Sequence, residues 1–325
     1  MKYFITGATG FVGNVLVRQL RAAGHEVRAS ARRPERASEL QAIGVTLFQG
    51  DVTDKESMRE AMLGVDGVFH VAGWYKVGTH DKSSGEKVNV QGTRNVLELM
   101  KELKIPKGVY TSTLAINSDT RGQLADETYH FTGNHLSEYD RTKAAAHEIA
   151  KEFIAKGLPL TIVMPGAIYG PGDTSTIRTN IISLLKGQLP MLPSQTTLCW
   201  AHVDDVAQGH VLAMEKGKIG ETYIIAGEPF KVADAFSLAA QISGRQTPMV
   251  APFQMIKVMS VLVKPLDGFL PVSYTSEGMR VIAGVTYIGD NRKARRDLGY
   301  DPRPLREGWE QTVHHEMELL GLKSP

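Results

Sequence analysis

Tyr139 and Lys143 are the residues of this sequence whose types and spacing most clearly suggest chemistry. The pattern of residues 137–156, which includes a run of alanines, predicts a helix. Residues four apart lie on one face of a helix, so both side chains can reach one ligand. A free tyrosine has a pKa of about 10, and a neighbouring ammonium group lowers that pKa by stabilising the phenolate. The pair is suited to acid–base chemistry by Tyr139 with help from Lys143, but the same spacing often arises by chance and, taken alone, is more typical of a surface pair.

A glycine-rich turn near the N-terminus suggests a second site. It lies between a predicted strand at 3–6 and a predicted helix at 11–23, and it reads Gly7-Ala8-Thr9-Gly10-Phe11-Val12-Gly13. Glycines allow a close approach of backbone to a pyrophosphate, and the following helix offers free N–H groups and partial positive charge. The turn therefore predicts a dinucleotide site, although a purely structural strand–helix turn is the alternative. The predicted cofactor contacts in this turn are Gly7, Thr9, Gly10, Phe11, Val12 and Gly13.

The end of the second predicted strand indicates which dinucleotide is bound. Ser30 and Ala31 lead directly into Arg32 and Arg33, and none of these four residues is acidic. A carboxylate there would bind the ribose hydroxyls of NAD, whereas guanidinium groups suit the additional phosphate of NADP. The two arginines therefore predict NADP(H). NAD(H) stays possible, because the segment could instead be a solvated basic turn.

Short apolar runs alternate with amphipathic stretches through the first two-thirds of the chain. The runs predict strands at 3–6, 26–31, 45–49, 67–71, 107–112, 160–164 and 222–225, with helices between them, such as 89–103. This alternation predicts an α/β fold with a doubly wound parallel sheet that is covered by helices on both faces. After a loop at 166–173 the chain is expected to be mostly helical and irregular. We expect a dinucleotide-binding domain at 1–165, to which 201–226 return, and a smaller, interleaved C-terminal substrate lobe made of 166–200 and 227–325.

The composition excludes several classes of partner and site. The formal net charge is only +2, which gives no electrostatic attraction toward nucleic acid. The single cysteine, Cys199, excludes an intrachain disulfide and a metal site built from cysteines, and no metal is expected. The first residues lack the apolar length of a signal peptide, and the longest apolar region, 255–263, is too short to span a membrane. We therefore expect a cytoplasmic protein whose partner is a small-molecule substrate.

The glycine turn and the Tyr-x-x-x-Lys pair together resemble the extended short-chain dehydrogenase/reductase family. That family includes the NAD-dependent epimerase/dehydratase group and dihydroflavonol reductase-like enzymes, and the resemblance extends over residues 6–312. It implies a Rossmann-type fold and further cofactor contacts. Among them are an aspartate that contacts the adenine and small residues after the fourth strand that leave room for the cofactor. These implied contacts are Asp51, Val52, Val71, Ala72, Gly73, Pro165 and Ile168.

The same resemblance implies roles for the catalytic group. Thr113 aligns best with the catalytic serine or threonine of the family, with Ser112 as the alternative, and its hydroxyl would hold the substrate oxygen. Tyr139 would exchange a proton with that oxygen, while Lys143 would bind the nicotinamide ribose and tune Tyr139. Asn89 falls in another motif of the family, where a proton relay and a structural role both stay open. The resemblance also implies a possible homodimer formed through the helix that bears Tyr139.

Three functions compete for this set of residues. An oxidoreductase that reduces a ketone or aldehyde of a fairly apolar small molecule is favoured, a nucleotide-sugar epimerase is the alternative, and a non-catalytic cofactor sensor is the third. Met164 and Ala167 stand where nucleotide-sugar enzymes of the family have arginine and asparagine, which weakens the epimerase interpretation. Family dehydratases have an Asp-Glu pair after the position of Thr113, where this chain has Leu114 and Ala115.

An apolar stretch in the predicted lobe suits an apolar ligand, but we expect it mainly to form the core of the lobe. Its members are Met249, Val250, Phe253, Met255, Ile256, Met259, Val261, Leu262 and Val263.

Two polar residues in the second half of the chain also have predicted roles. Arg178 could reach an anionic group on the substrate, although no motif supports this, and His202 is interpreted as structural.

Overall fold

A computed structural model describes residues 1–79, 81–189 and 191–323 of the chain. The strands in these residues are β1 (Lys2–Thr6), β2 (Glu26–Ala31), β3 (Thr46–Gln49), β4 (Gly67–His70), β5 (Gly108–Thr111), β6 (Leu160–Pro165), β7 (Ala167–Tyr169), β8 (Met191–Pro193), β9 (Thr197–His202), β10 (Thr222–Ile225), β11 (Pro229–Lys231), β12 (Met249–Ala251) and β13 (Thr286–Tyr287).

The helices begin with α1 (Phe11–Ala22), whose apolar side packs on the sheet. The others are α2 (Ser38–Ala42), α3 (Arg59–Met62), α4 (Ser83–Gly85), α5 (Gly92–Glu102), α6 (Glu138–Ala155), α7 (Thr176–Leu185), α8 (Val203–Lys216), α9 (Val232–Ser243), α10 (Phe253–Leu262), α11 (Ser276–Arg280), α12 (Arg292–Leu298) and α13 (Leu305–Leu319). A π-helical segment, Glu86–Gln91, leads into α5. No helix in the described ranges is long and apolar enough to cross a membrane.

Seven parallel strands form the central sheet in the order β10-β6-β5-β4-β1-β2-β3. This order is that of a Rossmann-type doubly wound sheet with one additional strand, so the predicted fold class is confirmed. The winding reverses between β1 and β4, where Thr6 lies opposite His70. A ligand crevice is expected outside the carboxyl ends of the strands at such a switch point.

The sheet is apolar on both faces because helices cover both of them. Phe4 points to the face covered by α3, α5 and α6, whereas the next residue, Ile5, points to the face covered by α1 and α8. Both side chains are fully buried. All seven strands predicted for this sheet are present, with ends that differ by no more than one residue from the prediction.

The second half of the chain contains short strands that the sequence does not reveal. Strands β11, β9 and β13 form a small sheet that β7 joins through β9, and β12 pairs with β8. The predicted loop after Pro165 is therefore wrong at Ala167–Tyr169, which form β7. These strands have two to six residues, and their pairing with distant segments leaves little periodicity in the local sequence.

The described residues of the C-terminal half contribute to three hydrophobic cores, of which two concern the lobe and helix α12. Trp200 and Trp309 pack with Tyr169 in a core of the lobe, where the Tyr169 and Trp309 rings stack at 5.3 Å between centroids. In contrast, Ala294 and Leu298 of α12 are buried in the core between α1, α8 and the central sheet. Residues 292–298 therefore pack with the central sheet, although they lie within the segment that was predicted to form the lobe.

Helix α10 does not form the core that its composition predicts. Phe253 and Ile256 are only partly buried and Ser260 is the one buried residue of the helix, on the side where α10 contacts α11. Several members of the predicted core stretch are instead exposed, namely Met249, Val250, Met255, Met259, Val261 and Leu262. The expectation of a lobe core is wrong for these residues because no described element covers the outer side of the helix.

Arg178 takes part in an ion pair inside the lobe. Its Nε donates to Oε1 of Glu316 at 2.7 Å, and the Glu316 carboxylate is almost completely buried. The other oxygen of Glu316 has no partner among the described residues. A buried carboxylate is costly when its cation is removed. This pairing gives Arg178 a structural role and does not support its proposed contact with substrate.

We predict that Arg178→Ala lowers the free energy of unfolding by about 2 kcal/mol, since it leaves the Glu316 carboxylate buried without its partner. Urea denaturation measures this change. The control is Arg306→Ala, which removes an exposed pair with Glu310 at 3.7 Å and is expected to change stability by about 0.5 kcal/mol or less. Equal effects of the two substitutions would contradict the structural role of Arg178.

Candidate active site

The predicted catalytic residues come together at the carboxyl ends of the central strands. Thr113 follows β5, and Tyr139 lies in the first turn of α6. Helix α6 begins there because Ser137 caps it, its side chain accepting a hydrogen bond from the amide of Asp140. The cap fixes the start of the helix and thereby the position of Tyr139 on it.

Thr113 lies close enough to Tyr139 to affect the ionisation of its phenol. The Thr113 hydroxyl lowers the pKa of Tyr139, but burial has the larger effect and raises that pKa to about 12. The Thr113 oxygen also accepts a hydrogen bond from the amide of Ala115 at 3.2 Å, which fixes its rotamer. In this structure Tyr139 is therefore a protonated phenol at neutral pH, and the expectation of a lowered pKa is wrong.

Lys143 lies one turn after Tyr139 on α6, and its side chain is turned toward β5. Its Nζ donates to the carbonyl oxygen of Thr111 at 2.6 Å and to the hydroxyl of Tyr110 at 3.3 Å. It also stands 4.9 Å from the centroid of the Tyr110 ring. Burial lowers the pKa of Lys143 to about 7. The ammonium group thus contacts the strand and not the phenol that it was expected to tune.

Ser112, the alternative to Thr113, is engaged elsewhere. Its hydroxyl lies 2.8 Å from Nδ1 of His147, and both side chains are buried. Burial lowers the pKa of His147 to about 3, so the imidazole is neutral at physiological pH. Since Thr113 contacts Tyr139 and Ser112 contacts His147, the geometry favours Thr113 as the hydroxyl of the catalytic group.

Asn89 joins three segments around the site. Its Oδ1 accepts from the amide of Trp74 at 2.7 Å, and its Nδ2 donates to the carbonyl of Trp74 and to the hydroxyl of Thr142 at 2.9 and 3.0 Å. Asn89 could serve as a proton relay or have a structural role, and these hydrogen bonds favour the structural role. A side chain added at Gly73 would lie 3.5 Å from Asn89 and 4.0 Å from the Lys143 Nζ, so Gly73 lies directly beside both.

The glycine turn is closed tightly onto β4. Gly7 has a φ of 75°, and a Cβ there would lie 2.7 Å from the amide nitrogen of Ala72. A Cβ on Gly13 would lie 2.0 Å from the carbonyl oxygen of Gly7. The α1 helix that follows has neither a side-chain cap nor an acidic residue in its first turn. Its first N–H groups are therefore available to an anion.

A hydrogen-bonded chain behind the turn was not predicted from the sequence. The Thr6 hydroxyl lies 2.8 Å from Nδ1 of His70 and accepts from the amide of Ala72 at 3.2 Å, while His70 Nε2 lies 3.0 Å from the Thr93 hydroxyl. Burial lowers the pKa of His70 to about 3. This hydrogen-bonded chain holds Val71 and Ala72 against the glycine turn. The role of His70 could not be predicted, because a histidine within an apolar strand has no distinctive local pattern.

The predicted phosphate-binding arginines line a cavity beside the glycine turn. Its volume is about 560 Å³, and its lining residues are Thr9, Ala31, Arg32, Arg33 and Arg36. The three arginines are exposed, and none of them forms an ion pair with another described residue. Arg36 was missed in the sequence because the 3₁₀ turn Pro34–Arg36, which returns it to the cavity, has no clear local signature.

The remaining predicted contacts line the same edge of the sheet. Asp51 follows β3 and accepts two hydrogen bonds from Thr53, and the next residue, Val52, is buried against Gly92. Pro165 ends β6, and the partly buried Ile168 lies in β7. Among the described residues, no group of three His, Cys, Asp or Glu side chains could hold a metal ion.

Comparison with known proteins shows which family the chain matches. The model of the NAD dependent epimerase/dehydratase family matches residues 3–226. A putative dihydroflavonol 4-reductase from Synechocystis sp. is 32% identical, with 96% of this chain and 93% of the relative aligned. A 4-hydroxy-2-methyl-3-oxo-4-farnesyl-3,4-dihydroquinoline-1-oxide ketoreductase from Stigmatella aurantiaca is 30% identical, with 93% of this chain and 92% of the relative aligned.

A solved structure supports the same family over the full length. The crystal structure of gox2253 superimposes with a TM-score of 0.87 at 31% identity, and 99% of each chain is covered. The similarity therefore includes the substrate lobe as well as the central sheet.

The burial of Lys143 predicts a pH dependence of stability. An unfolded lysine binds a proton up to a pKa of 10.5, whereas folding lowers the pKa of Lys143 to about 7. Between these values the unfolded state binds more protons, so a rise in pH favours the folded state by about 1 kcal/mol per pH unit.

We predict that the stability of wild type relative to Lys143→Met increases as the pH rises from 7.5 to 9.5, inside the window between the folded pKa of about 7 and the unfolded pKa of 10.5. Urea denaturation of both proteins at each pH measures the difference, in which the other titrating groups cancel. A difference that is independent of pH would contradict the burial of this ammonium group.

Proposed function

The chain belongs to the NAD dependent epimerase/dehydratase family of nicotinamide-dependent enzymes, and from this premise we propose that it reduces a carbonyl group with NADP(H). The proposed substrate is a ketone or aldehyde of a fairly apolar small molecule. The observation that carries the proposal is the position of the Thr113 hydroxyl beside the protonated phenol of Tyr139, on the helix from which Lys143 bonds to Thr111.

The glycine turn fits the pyrophosphate of a dinucleotide. Gly7 and Gly13 leave no room for a Cβ, and the uncapped start of α1 presents N–H donors on the same side. Gly73 and Lys143 then stand along the path from this turn to Tyr139. A nicotinamide cofactor bound there would supply the hydride, while the protein supplies orientation and protons.

Tyr139 is suited to act as the acid in a reduction. A pKa of about 12 keeps its hydroxyl protonated at neutral pH, and an alkoxide that develops on the substrate is a stronger base than the phenolate left behind. Thr113 would donate to the same substrate oxygen and hold it near Tyr139. Lys143, held by Thr111, would bind the nicotinamide ribose and stabilise the phenolate formed after proton transfer.

Three unpaired guanidinium groups support NADP over NAD. Arg32, Arg33 and Arg36 surround one cavity beside Thr9, close to the position where the adenosine ribose would end. A phosphate dianion would receive charge-assisted hydrogen bonds from these groups. None of the residues that line the cavity is acidic, so none of them is suited to the ribose hydroxyls of NAD.

Two observations support a carbonyl reductase over an epimerase. The relatives described above are named as reductases, and the second is named for a substrate that carries a farnesyl chain. Met164 and Ala167 replace the arginine and asparagine of nucleotide-sugar enzymes, and the Met164 side chain is buried. An apolar substrate therefore agrees better with this site than a charged sugar nucleotide does.

We predict that Tyr139→Phe lowers the turnover number for carbonyl reduction by about 100-fold or more, because the proton donor is lost. NADPH binding, followed by fluorescence titration, should be nearly unchanged. The control is Tyr300→Phe, which removes the hydroxyl of a buried tyrosine that has no hydrogen-bond partner among the described residues. Turnover of Tyr139→Phe close to that of the control would refute the catalytic role.

We predict that Arg32→Ala and Arg33→Ala each raise the KM for NADPH roughly tenfold, as expected for one charge-assisted hydrogen bond. The KM for NADH should change little, because NADH lacks the additional phosphate. Arg296→Ala, which removes an exposed arginine paired with Asp297, is the control. A parallel increase of both KM values would contradict the assignment of these arginines to the phosphate.

A further inference from the structure

The outer side of α10 and the segment that follows it form an apolar surface without a protein partner among the described residues. We call this surface the α10 face, and it is defined by exposed side chains of 249–274. Val261 is 70%, Leu262 65% and Phe269 88% exposed. The other large apolar members are Met249, Val250, Met255, Val258, Met259, Leu266, Val272 and Tyr274.

The α10 face is unusual because most of the exposed side chains of helix α10 are apolar. A helix of this kind is normally buried, whereas a surface helix carries polar residues on its outer side. Here the inner side, with Phe253, Ile256 and Ser260, is used in packing, and the outer side is nevertheless apolar. Exposed large apolar side chains concentrated in one segment of a chain indicate a site of interaction.

The charges at the α10 face are positive. Lys257 and Lys264 are exposed, and neither forms an ion pair with a described residue. The single carboxylate within 249–274, that of Asp267, accepts hydrogen bonds from the amide and hydroxyl of Ser276. An apolar surface bordered by free lysines complements a bilayer with anionic headgroups better than it complements another protein surface.

The α10 face is connected directly to the candidate active site. Glu277, which follows the face in α11, accepts hydrogen bonds from the amides of Gly78 and Glu138 at 3.2 and 3.3 Å. Glu138 precedes Tyr139, and Gly78 lies in the loop after β4 that also contains Gly73. Helix α11 therefore joins the segment that carries the α10 face to the start of α6, next to Tyr139.

We infer that the α10 face docks the protein onto the surface of an anionic lipid bilayer, from which an apolar substrate reaches the site. The side chains of Val261, Leu262 and Phe269 would enter the acyl boundary while Lys257 and Lys264 contact the headgroups. The docking step depends only on this surface. The delivery of substrate rests in addition on the proposed carbonyl reductase.

Co-sedimentation with vesicles tests the docking step, using the full chain without substrate or cofactor. The wild type should bind vesicles of equal parts phosphatidylcholine and phosphatidylglycerol, and the double variant Val261→Asn/Leu262→Gln should bind at least about tenfold more weakly. Each of Lys257→Gln and Lys264→Gln should weaken binding roughly fivefold on these vesicles and much less on pure phosphatidylcholine.

The matched control is Leu63→Gln/Ile219→Gln. Both residues are exposed apolar residues in turns that precede central strands, at the edge of the sheet opposite the candidate site. This variant should bind vesicles as the wild type does. Light scattering after size-exclusion chromatography should also show the same mass for wild type and for Val261→Asn/Leu262→Gln.

Three outcomes would overturn the inference. These are no binding to anionic vesicles, binding that the α10 substitutions leave unchanged, and a wild-type dimer that the α10 substitutions dissociate without any vesicle binding. The last result would assign the face to a second copy of the chain. A protein that binds vesicles but reduces no carbonyl would instead refute the proposed function and leave the docking inference standing.

Discussion

One hydrogen bond, from the Lys143 ammonium group to the carbonyl oxygen of Thr111, ties helix α6 to the end of strand β5. The bond is short, as is usual for a charged donor, and burial lowers the pKa of the lysine. With α6 fixed in this way, Tyr139 one turn earlier stands beside Thr113, two residues beyond Thr111. The geometry of the proposed catalytic group therefore depends on how one helix is attached to one strand.

The sequence was sufficient to predict the strands of the central sheet and the placement of Tyr139 and Lys143 on the same helix. Strands covered on both faces are continuous apolar runs, so their positions are visible without any structure. Tyr139 and Lys143 lie on one face of α6 for the same reason, since the spacing of four residues is a property of the helix itself. The glycine turn was recognisable because three closely spaced glycines between a strand and a helix are typical of a dinucleotide site.

The electrostatics of the site could not be predicted in this way. The pKa of Tyr139 is decided by burial, and the partner of Lys143 is a backbone carbonyl, which every residue possesses. Arg36 and His70 were missed because their roles depend on a 3₁₀ turn and on neighbouring strands. The lobe strands and the exposed outer side of α10 depend on packing between segments that are distant in sequence. Local hydrophobic periodicity does not predict such packing.

In the proposed reaction, Tyr139 gives its proton to the substrate oxygen as the carbonyl is reduced. The most direct test is the single-turnover rate of NADPH oxidation by a ketone in H₂O and in D₂O, for wild type and for Tyr139→Phe. The wild-type rate should be lower in D₂O, whereas the slow residual rate of Tyr139→Phe should depend much less on the solvent, because the alkoxide then takes its proton from water after hydride transfer. The same isotope sensitivity in both proteins would show that the proton comes from another group.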